Sequence, residues 1–240
     1  MKKWIGVWVC VFAPVGGVAS SLQGDAWGGH VVVERVEDEA ELEGLYRLNP
    51  DLAAIEEAVL KPPSVPVQRP DPGLVVLDRI VNLGERLWTL VERNRPVVGV
   101  EAEKASALPQ GIEHWEQLGH WQRPEVETYR IGYVNFFGVQ VAQFTMRILY
   151  TWGGDVDGIG RYLANITVIP AYIDVHWGFR FNALTEVADV VNVNDREFPI
   201  AAAEIHVRWS LESVFRKIHQ SAIFFVKGNG EFEVLSGEER

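Results

Sequence analysis

The sequence contains a single cysteine, Cys10, among its 240 residues. It lies in an N-terminal segment with the pattern of a secretory signal peptide. Residues 1–3 form a short basic region with two lysines, residues 4–14 are apolar and uncharged, and residues 16–20 supply the small residues that signal peptidases accept. We therefore predict that residues 1–20 are a signal peptide and that the protein is secreted or periplasmic. The mature chain would then contain no thiol, which excludes disulfides and cysteine catalysis.

Long hydrophobic runs and excess positive charge are also missing. The apolar part of the signal is shorter than the ~20 residues that span a bilayer, so we expect no transmembrane segment in the mature chain. The chain has 22 Lys and Arg against 33 Asp and Glu, which gives a net charge of −11. Because phosphate contacts supply much of nucleic-acid affinity, this acidity argues against a nucleic-acid partner. It argues equally against an anionic membrane surface as a partner.

Recognisable catalytic motifs are absent from the sequence. It contains no Gly-x-Ser-x-Gly elbow, no His-Glu-x-x-His helix, no phosphate-binding loop and no Gly-x-Gly-x-x-Gly motif after a strand. These absences favour a binding protein over an enzyme. A Ser/His/Asp triad stays open as an alternative, because its members meet only in space.

Composition divides the chain after the signal into three parts. Residues 21–60 form an acidic N-terminal arm in which residues 52–60 have the pattern of a short helix. Residues 61–73 are rich in proline, which favours an extended linker. Residues 74–240 are expected to form the main domain.

The main domain begins with a helical pattern over residues 74–94. Apolar residues recur there at spacings of three and four, and charged residues lie mostly between them. The apolar set comprises Val76, Ile80, Leu83, Leu87, Leu90 and Val91. This pattern predicts one amphipathic helix, although Gly84 in its interior disfavours it by about 1 kcal/mol relative to alanine.

Beyond residue 96 the apolar period changes from helical to two. Alternating runs cover residues 97–100, 127–137, 139–152, 173–181, 203–211, 223–226 and 232–235. Glycine-rich segments at residues 153–160 and 227–230 predict turns between neighbouring strands. The predicted fold is therefore mainly β: an antiparallel β-sandwich or small barrel with one amphipathic helix and an N-terminal arm.

Two pairs of residues could contribute to a metal site. Asp174 and His176 are two residues apart, as are Glu204 and His206, so each pair shares one face of a strand. If the two strands were neighbours, the four side chains could hold Zn²⁺ or another divalent cation. The alternative is that both pairs belong to solvated faces opposite the core. No other cofactor is expected.

A near repeat provides candidate ligand-binding residues. His114 and Trp115 are followed by His120 and Trp121. Exposed tryptophan can stack on a sugar or anchor a protein partner. The alternative is that both tryptophans cover the edge of the core beneath a long loop.

Asp155 and Asp157 stand in a glycine-rich segment with a faint similarity to a calcium loop. The further oxygen ligands and the distal glutamate of an EF-hand are missing. We therefore prefer a hairpin turn for this segment.

Together these features predict a secreted or periplasmic β-rich binding domain whose partner is a protein or a glycan. One alternative is a polysaccharide hydrolase that uses carboxylates such as Asp174 and Glu204. Another is a structural subunit of an envelope assembly.

Overall fold

The computed structural model describes residues 20–22, 29–60, 73–97 and 103–235. The predicted signal peptide lies outside the described residues except for Ser20, and so does the linker except for Gly73. The helices are α1 (Glu39–Leu48) and α2 (Leu52–Leu60). The strands are β1 (Ser20–Leu22), β2 (His30–Arg35), β3 (Val76–Gly84), β4 (Leu87–Glu92), β5 (Arg95–Pro96), β6 (Ala105–Gln110), β7 (Glu125–Val134), β8 (Gln140–Val156), β9 (Ile159–Val175), β10 (Phe179–Asn192), β11 (Ala201–Ser213), β12 (Lys217–Lys227) and β13 (Phe232–Leu235).

These strands form two antiparallel sheets. The first has seven strands in the order β1-β2-β7-β8-β9-β6-β3, and the second has six in the order β13-β12-β11-β10-β4-β5. The sheets pack face to face and do not close into a barrel. This arrangement confirms the prediction of a mainly β protein and selects the sandwich from its two alternatives.

The main core lies between the inner faces of the two sheets. Alternation turns Phe144 and Ile148 of β8, and Ile205 and Val207 of β11, toward this core, and all four side chains are buried. The intervening residues of β11 point outward and are polar, as expected for a sheet with one solvated face. The predicted hairpin at residues 223–235 is confirmed by the pairing of β12 with β13.

A smaller core lies on the outer face of the first sheet. Leu45 of α1 and Leu52 of α2 pack there against Leu149 and Ile169. This cover explains why the middle of β8 and β9 is buried on both faces. The predicted helix over residues 52–60 is confirmed as α2, and α1 was not predicted. Residues 30–60 are therefore built into the sandwich, through β2 as well as the helices. Within the described part of the chain, no helix is long and apolar enough to cross a membrane.

The helix predicted over residues 74–94 is wrong. The segment forms β3 in the first sheet and β4 in the second. Gly84 ends β3 at φ +103°, where a Cβ would lie 2.1 Å from the carbonyl oxygen of Lys104. Because two short strands can also bring apolar residues to a core, the helical spacing was ambiguous, and pairing with β6 and β10 decided the outcome.

The alternating run at residues 173–181 also differs from a continuous strand. β9 ends at Val175 in the first sheet, and β10 begins at Phe179 in the second. The chain crosses between the sheets at His176, Trp177 and Gly178, and Gly178 has φ +90°. Trp177, which continued the apolar face in the sequence, is consequently 99% exposed.

Candidate functional site

The four predicted metal-ligating residues lie on two different sheets. Asp174 and His176 are exposed at the end of β9, whereas Glu204 and His206 lie on the outer face of β11. His206 Nε2 lies 2.6 Å from Glu204 Oε1. The strands are not neighbours, and the described residues contain no group of three or more His, Cys, Asp and Glu side chains placed to hold a metal. The arrangement fits solvated faces.

The two predicted tryptophans pack on each other and on the core. Trp115 lies in a short 3₁₀ helix, and its ring meets that of Trp121 edge-on at 5.6 Å. Trp121 Nε1 donates to the carbonyl oxygen of Trp115 at 3.1 Å. A Cβ on Gly154 would lie 2.4 Å from the Trp121 ring, so only glycine lets the ring rest on β8. This geometry fits the packing alternative. His114 is exposed beside the pair, and its backbone N–H donates to Gln117 Oε1 at 3.0 Å.

His120 is linked to Asp155, the residue of the calcium-like segment that lies inside the protein. His120 Nδ1 lies 2.9 Å and 3.0 Å from the two carboxylate oxygens. The backbone N–H of Gly158 donates to Asp155 Oδ1 at 2.8 Å, and Arg161 lies 3.7 Å away. Backbone hydrogen bonds between Gly119 and Asp155 run in both directions. Protein groups therefore supply the polar contacts of the Asp155 carboxylate. These contacts hold the loop at residues 111–124 against the β8–β9 hairpin.

A second cluster of carboxylates, which the sequence did not suggest, surrounds Tyr150. Glu125 accepts hydrogen bonds from Tyr150 at 3.1 Å and from Trp152 at 3.0 Å. Glu127 forms a 2.7 Å ion pair with Arg35. Burial raises the pKa of Glu127, the Arg35 charge opposes that rise, and Glu125 adds to it. Because Tyr150, Trp152 and Arg35 already bind these carboxylates, Glu125 and Glu127 are better explained as stabilising the sheet than as acid–base groups.

Three connections meet at one end of the sandwich. They are the β7–β8 loop at residues 135–139, the β9–β10 crossing at residues 176–178 and the β11–β12 turn at residues 214–216. The strand pairing places the three connections side by side. Ala142 near the start of β8 pairs with Val175 at the end of β9, and Phe179 at the start of β10 pairs with Ser213 at the end of β11. Arg216 Nη1 also lies 3.5 Å from the Tyr133 hydroxyl across the two sheets. We call this end, with the adjoining β4–β5 turn, the apex.

The apex loops present large apolar side chains to solvent. The exposed fractions are 71% for Phe136, 82% for Phe137, 99% for Trp177, 87% for Val214 and 96% for Phe215. Soluble proteins rarely expose such side chains together unless they form a binding surface. The sequence held a local signal for two of the loops, because Phe-Phe and Val-Phe occupy turn positions where Gly, Asn, Asp and Ser are usual.

Local hydrogen bonds hold two of these loops in a defined shape. Asn135 Oδ1 accepts from the backbone N–H groups of Phe137 and Val139, each at 3.0 Å. Gly138 has φ +75°, which closes the loop without strain. In the β11–β12 turn, the Ser213 N–H donates to the Arg216 carbonyl at 2.6 Å. The exposed side chains therefore stand on folded turns.

The charge of the apex is opposite in sign to that of the whole chain. The β4–β5 turn belongs to this end because Asn94 Nδ2 donates to the carbonyl of Phe179 at 3.1 Å. The cationic side chains in residues 92–96, 174–180 and 212–217 are Arg93, Arg95, Arg180, Arg216 and Lys217, and the anionic ones are Glu92, Asp174 and Glu212. A local excess of positive charge thus surrounds the aromatic tips of a protein with net charge −11.

The chain matches no protein-family model, no curated protein and no solved structure.

Proposed function

We propose that the protein is a secreted or periplasmic binding domain that engages its partner through the apex. The observation that carries this proposal is the exposure of Phe136, Phe137, Trp177, Val214 and Phe215 on three neighbouring loops. The N-terminal signal pattern supports the compartment. Binding requires no catalytic group, in agreement with the missing catalytic motifs.

Energetics support a binding role for these side chains. Removing one large apolar side chain from water contributes about 1.5–3 kcal/mol, so burial of several could supply a substantial part of a binding free energy. In contrast, the hydrolase alternative required Asp174 and Glu204 to face one cleft. Asp174 continues the outer face of β9 and Glu204 the outer face of β11, so their carboxylates point away from each other.

Adsorption to a hydrophobic matrix tests whether the apex is the adhesive surface. We expect a triple variant, Phe137→Ser, Trp177→Ser and Phe215→Ser, to elute earlier from phenyl-agarose and to bind less bis-ANS than the wild type. Its melting temperature should stay close to the wild-type value, because these side chains are exposed.

The opposite end of the sandwich provides a matched control. Ile159, Val193 and Phe198 are 40%, 42% and 37% exposed there. Changing all three to Ser should alter retention and dye binding much less than the apex variant. Equal effects of the two variants would show that the apex is not a distinct binding surface.

A further inference from the structure

We propose that the partner of the apex is the interfacial region of a lipid bilayer with anionic headgroups. This inference rests on the proposed function and names the partner class of the same surface. It assigns the aromatic tips to the boundary between headgroups and acyl chains, and the surrounding cationic side chains to the headgroups.

The shape of the apex favours a bilayer over a protein partner. Trp177 and Phe215 are almost completely exposed and stand at the tips of separate turns. A protein partner would have to provide a matching pocket for each tip, because binding energy between proteins comes mainly from side chains seated in well-packed pockets. A bilayer accepts protruding side chains without a complementary shape.

The residue types at the tips also fit the membrane interface. Tryptophan is enriched at the level of the headgroups because its ring is apolar while its N–H can hydrogen-bond to water or lipid. Phenylalanine is a frequent insertion residue on the apolar side of interfacial segments. Trp177, Phe136, Phe137 and Phe215 supply these types on three loops of one end.

Charge at the apex complements an anionic surface. Arg180 and Lys217 lie within a few residues of the tips, and Arg93 and Arg95 lie on the adjoining β4–β5 turn. Electrostatic interactions in physiological salt decay over about 8 Å, so local charge governs contact more strongly than the net charge of the chain. The negative net charge of the chain, which argues against membrane binding, is thus offset at this end. Repulsion of the remaining acidic surface and attraction of the apex would orient the apex toward the bilayer.

Vesicle binding tests the proposal. We expect the wild type to co-sediment with phosphatidylcholine vesicles that contain about 30% phosphatidylglycerol, because this lipid makes their surface strongly negative. Binding should be weaker in high salt and weaker to vesicles of pure phosphatidylcholine. Trp177→Ser with Phe215→Ser should lower the partition coefficient about tenfold or more, because two inserted side chains are lost. Ile159→Ser with Phe198→Ser serves as the control and should bind as the wild type does.

Two further variants separate insertion from charge attraction. Arg180→Gln with Lys217→Gln should weaken binding to the anionic vesicles and leave binding to pure phosphatidylcholine unchanged. The emission of an NBD probe on Phe215→Cys, in a chain whose single native cysteine is removed by Cys10→Ser, should shift to the blue when vesicles are added. The same probe on Phe198→Cys should not shift.

The outcomes distinguish this proposal from the one on which it rests. If the wild type binds no vesicle while the apex variant still loses retention on phenyl-agarose, the lipid partner is overturned and a protein or glycan partner of the apex remains. If the apex variants bind vesicles as well as the wild type does, membrane contact through this end is overturned. If the apex variant lost both vesicle binding and thermal stability, unfolding could explain the loss, and the NBD probes would then decide. No blue shift of the emission at Phe215→Cys would contradict insertion.

Discussion

Among single residues, Asp155 shows how a buried charge can hold a loop. Its side chain is 5% exposed, yet His120, Gly158 and Arg161 surround the carboxylate. A buried carboxylate is tolerated only when such partners replace water. His120 takes part from a left-handed backbone conformation at φ +58°, which is uncommon outside glycine. The contact therefore compensates for local strain in the loop that carries Trp121.

We expect Asp155→Ala to lower the free energy of unfolding by about 1–3 kcal/mol, because the Gly158 N–H and His120 lose their acceptor. Urea denaturation followed by tryptophan fluorescence would measure the change. Asp174→Ala is the matched control, because Asp174 is exposed, and its effect should stay within about 0.5 kcal/mol. Equal destabilisation of the two variants would show that the buried Asp155 carboxylate does not hold the loop in place.

At the scale of elements, a buried ionic contact fixes the two helices to the first sheet. Arg147 of β8 forms a 2.9 Å ion pair with Glu56 of α2, and its guanidinium lies 5.1 Å from the ring centre of Tyr46 in α1. The Tyr46 hydroxyl donates to Glu56 at 3.0 Å. Lys104 Nζ also donates to the carbonyl oxygen of Val59 at the end of α2. Polar contacts thus supplement the apolar cover of Leu45 and Leu52.

Burial of the Glu56 carboxyl makes the stability of the folded protein dependent on pH. Burial raises the pKa of Glu56 above its ordinary value of 4.5, although the Arg147 charge and the Tyr46 hydrogen bond oppose that rise. The folded state therefore binds this proton more tightly than the unfolded state does. The resulting contribution to the free energy of unfolding is complete below pH 4.5 and is lost as the pH rises through the folded-state pKa.

Glu56→Gln should remove this pH-dependent contribution. Relative to the variant, the wild type should gain stability as the pH falls from 7 toward 4.5, as measured by urea denaturation at several pH values. Glu57→Gln makes the same charge change on an exposed position of α2 and should retain the wild-type profile. Parallel profiles for wild type and Glu56→Gln would contradict the inferred direction.

At the scale of the whole molecule, an aromatic cluster joins the two sheets. Tyr129 of β7 lies 4.8 Å from Phe224 of β12, measured between ring centres. Phe232 lies 6.0 Å from Tyr129, 5.9 Å from Tyr150 and 5.9 Å from Phe224. Because the cluster draws on both sheets, it ties the β12–β13 hairpin to the first sheet and closes the end of the sandwich opposite the apex.

We expect Phe224→Ala to lower the free energy of unfolding by about 3–5 kcal/mol, because it leaves a cavity between the sheets. The adjacent residue provides the control, since Phe225 points to the outer face and is only half-buried. Phe225→Ala should therefore cost clearly less in the same urea titration. A similar loss for both variants would mean that the cluster does not determine the association of the sheets.

The apex is also a property of the whole molecule, because its loops are far apart in the chain. Phe137 and Trp177 are 40 positions apart, and Phe215 lies a further 38 positions along the chain. Each of these residues alone is an unusual turn residue, and a single exposed apolar side chain does not indicate a binding surface. Antiparallel connections between long strands return to the same end of the sandwich, and this regularity turns three separate apolar turns into one surface.

Alternation is a local property of the chain, and it was enough to predict the strand-rich class, the β12–β13 hairpin and the apolar faces of β8 and β11. It could not distinguish a helix at residues 74–94 from β3 and β4, since apolar spacing leaves open which backbone hydrogen bonds form. Nor could it join His120 to Asp155, separate the Asp174 and Glu204 strands or assemble the apex. Those outcomes required tertiary structure, because long-range pairing and the burial of complete sheet faces decide which distant residues meet.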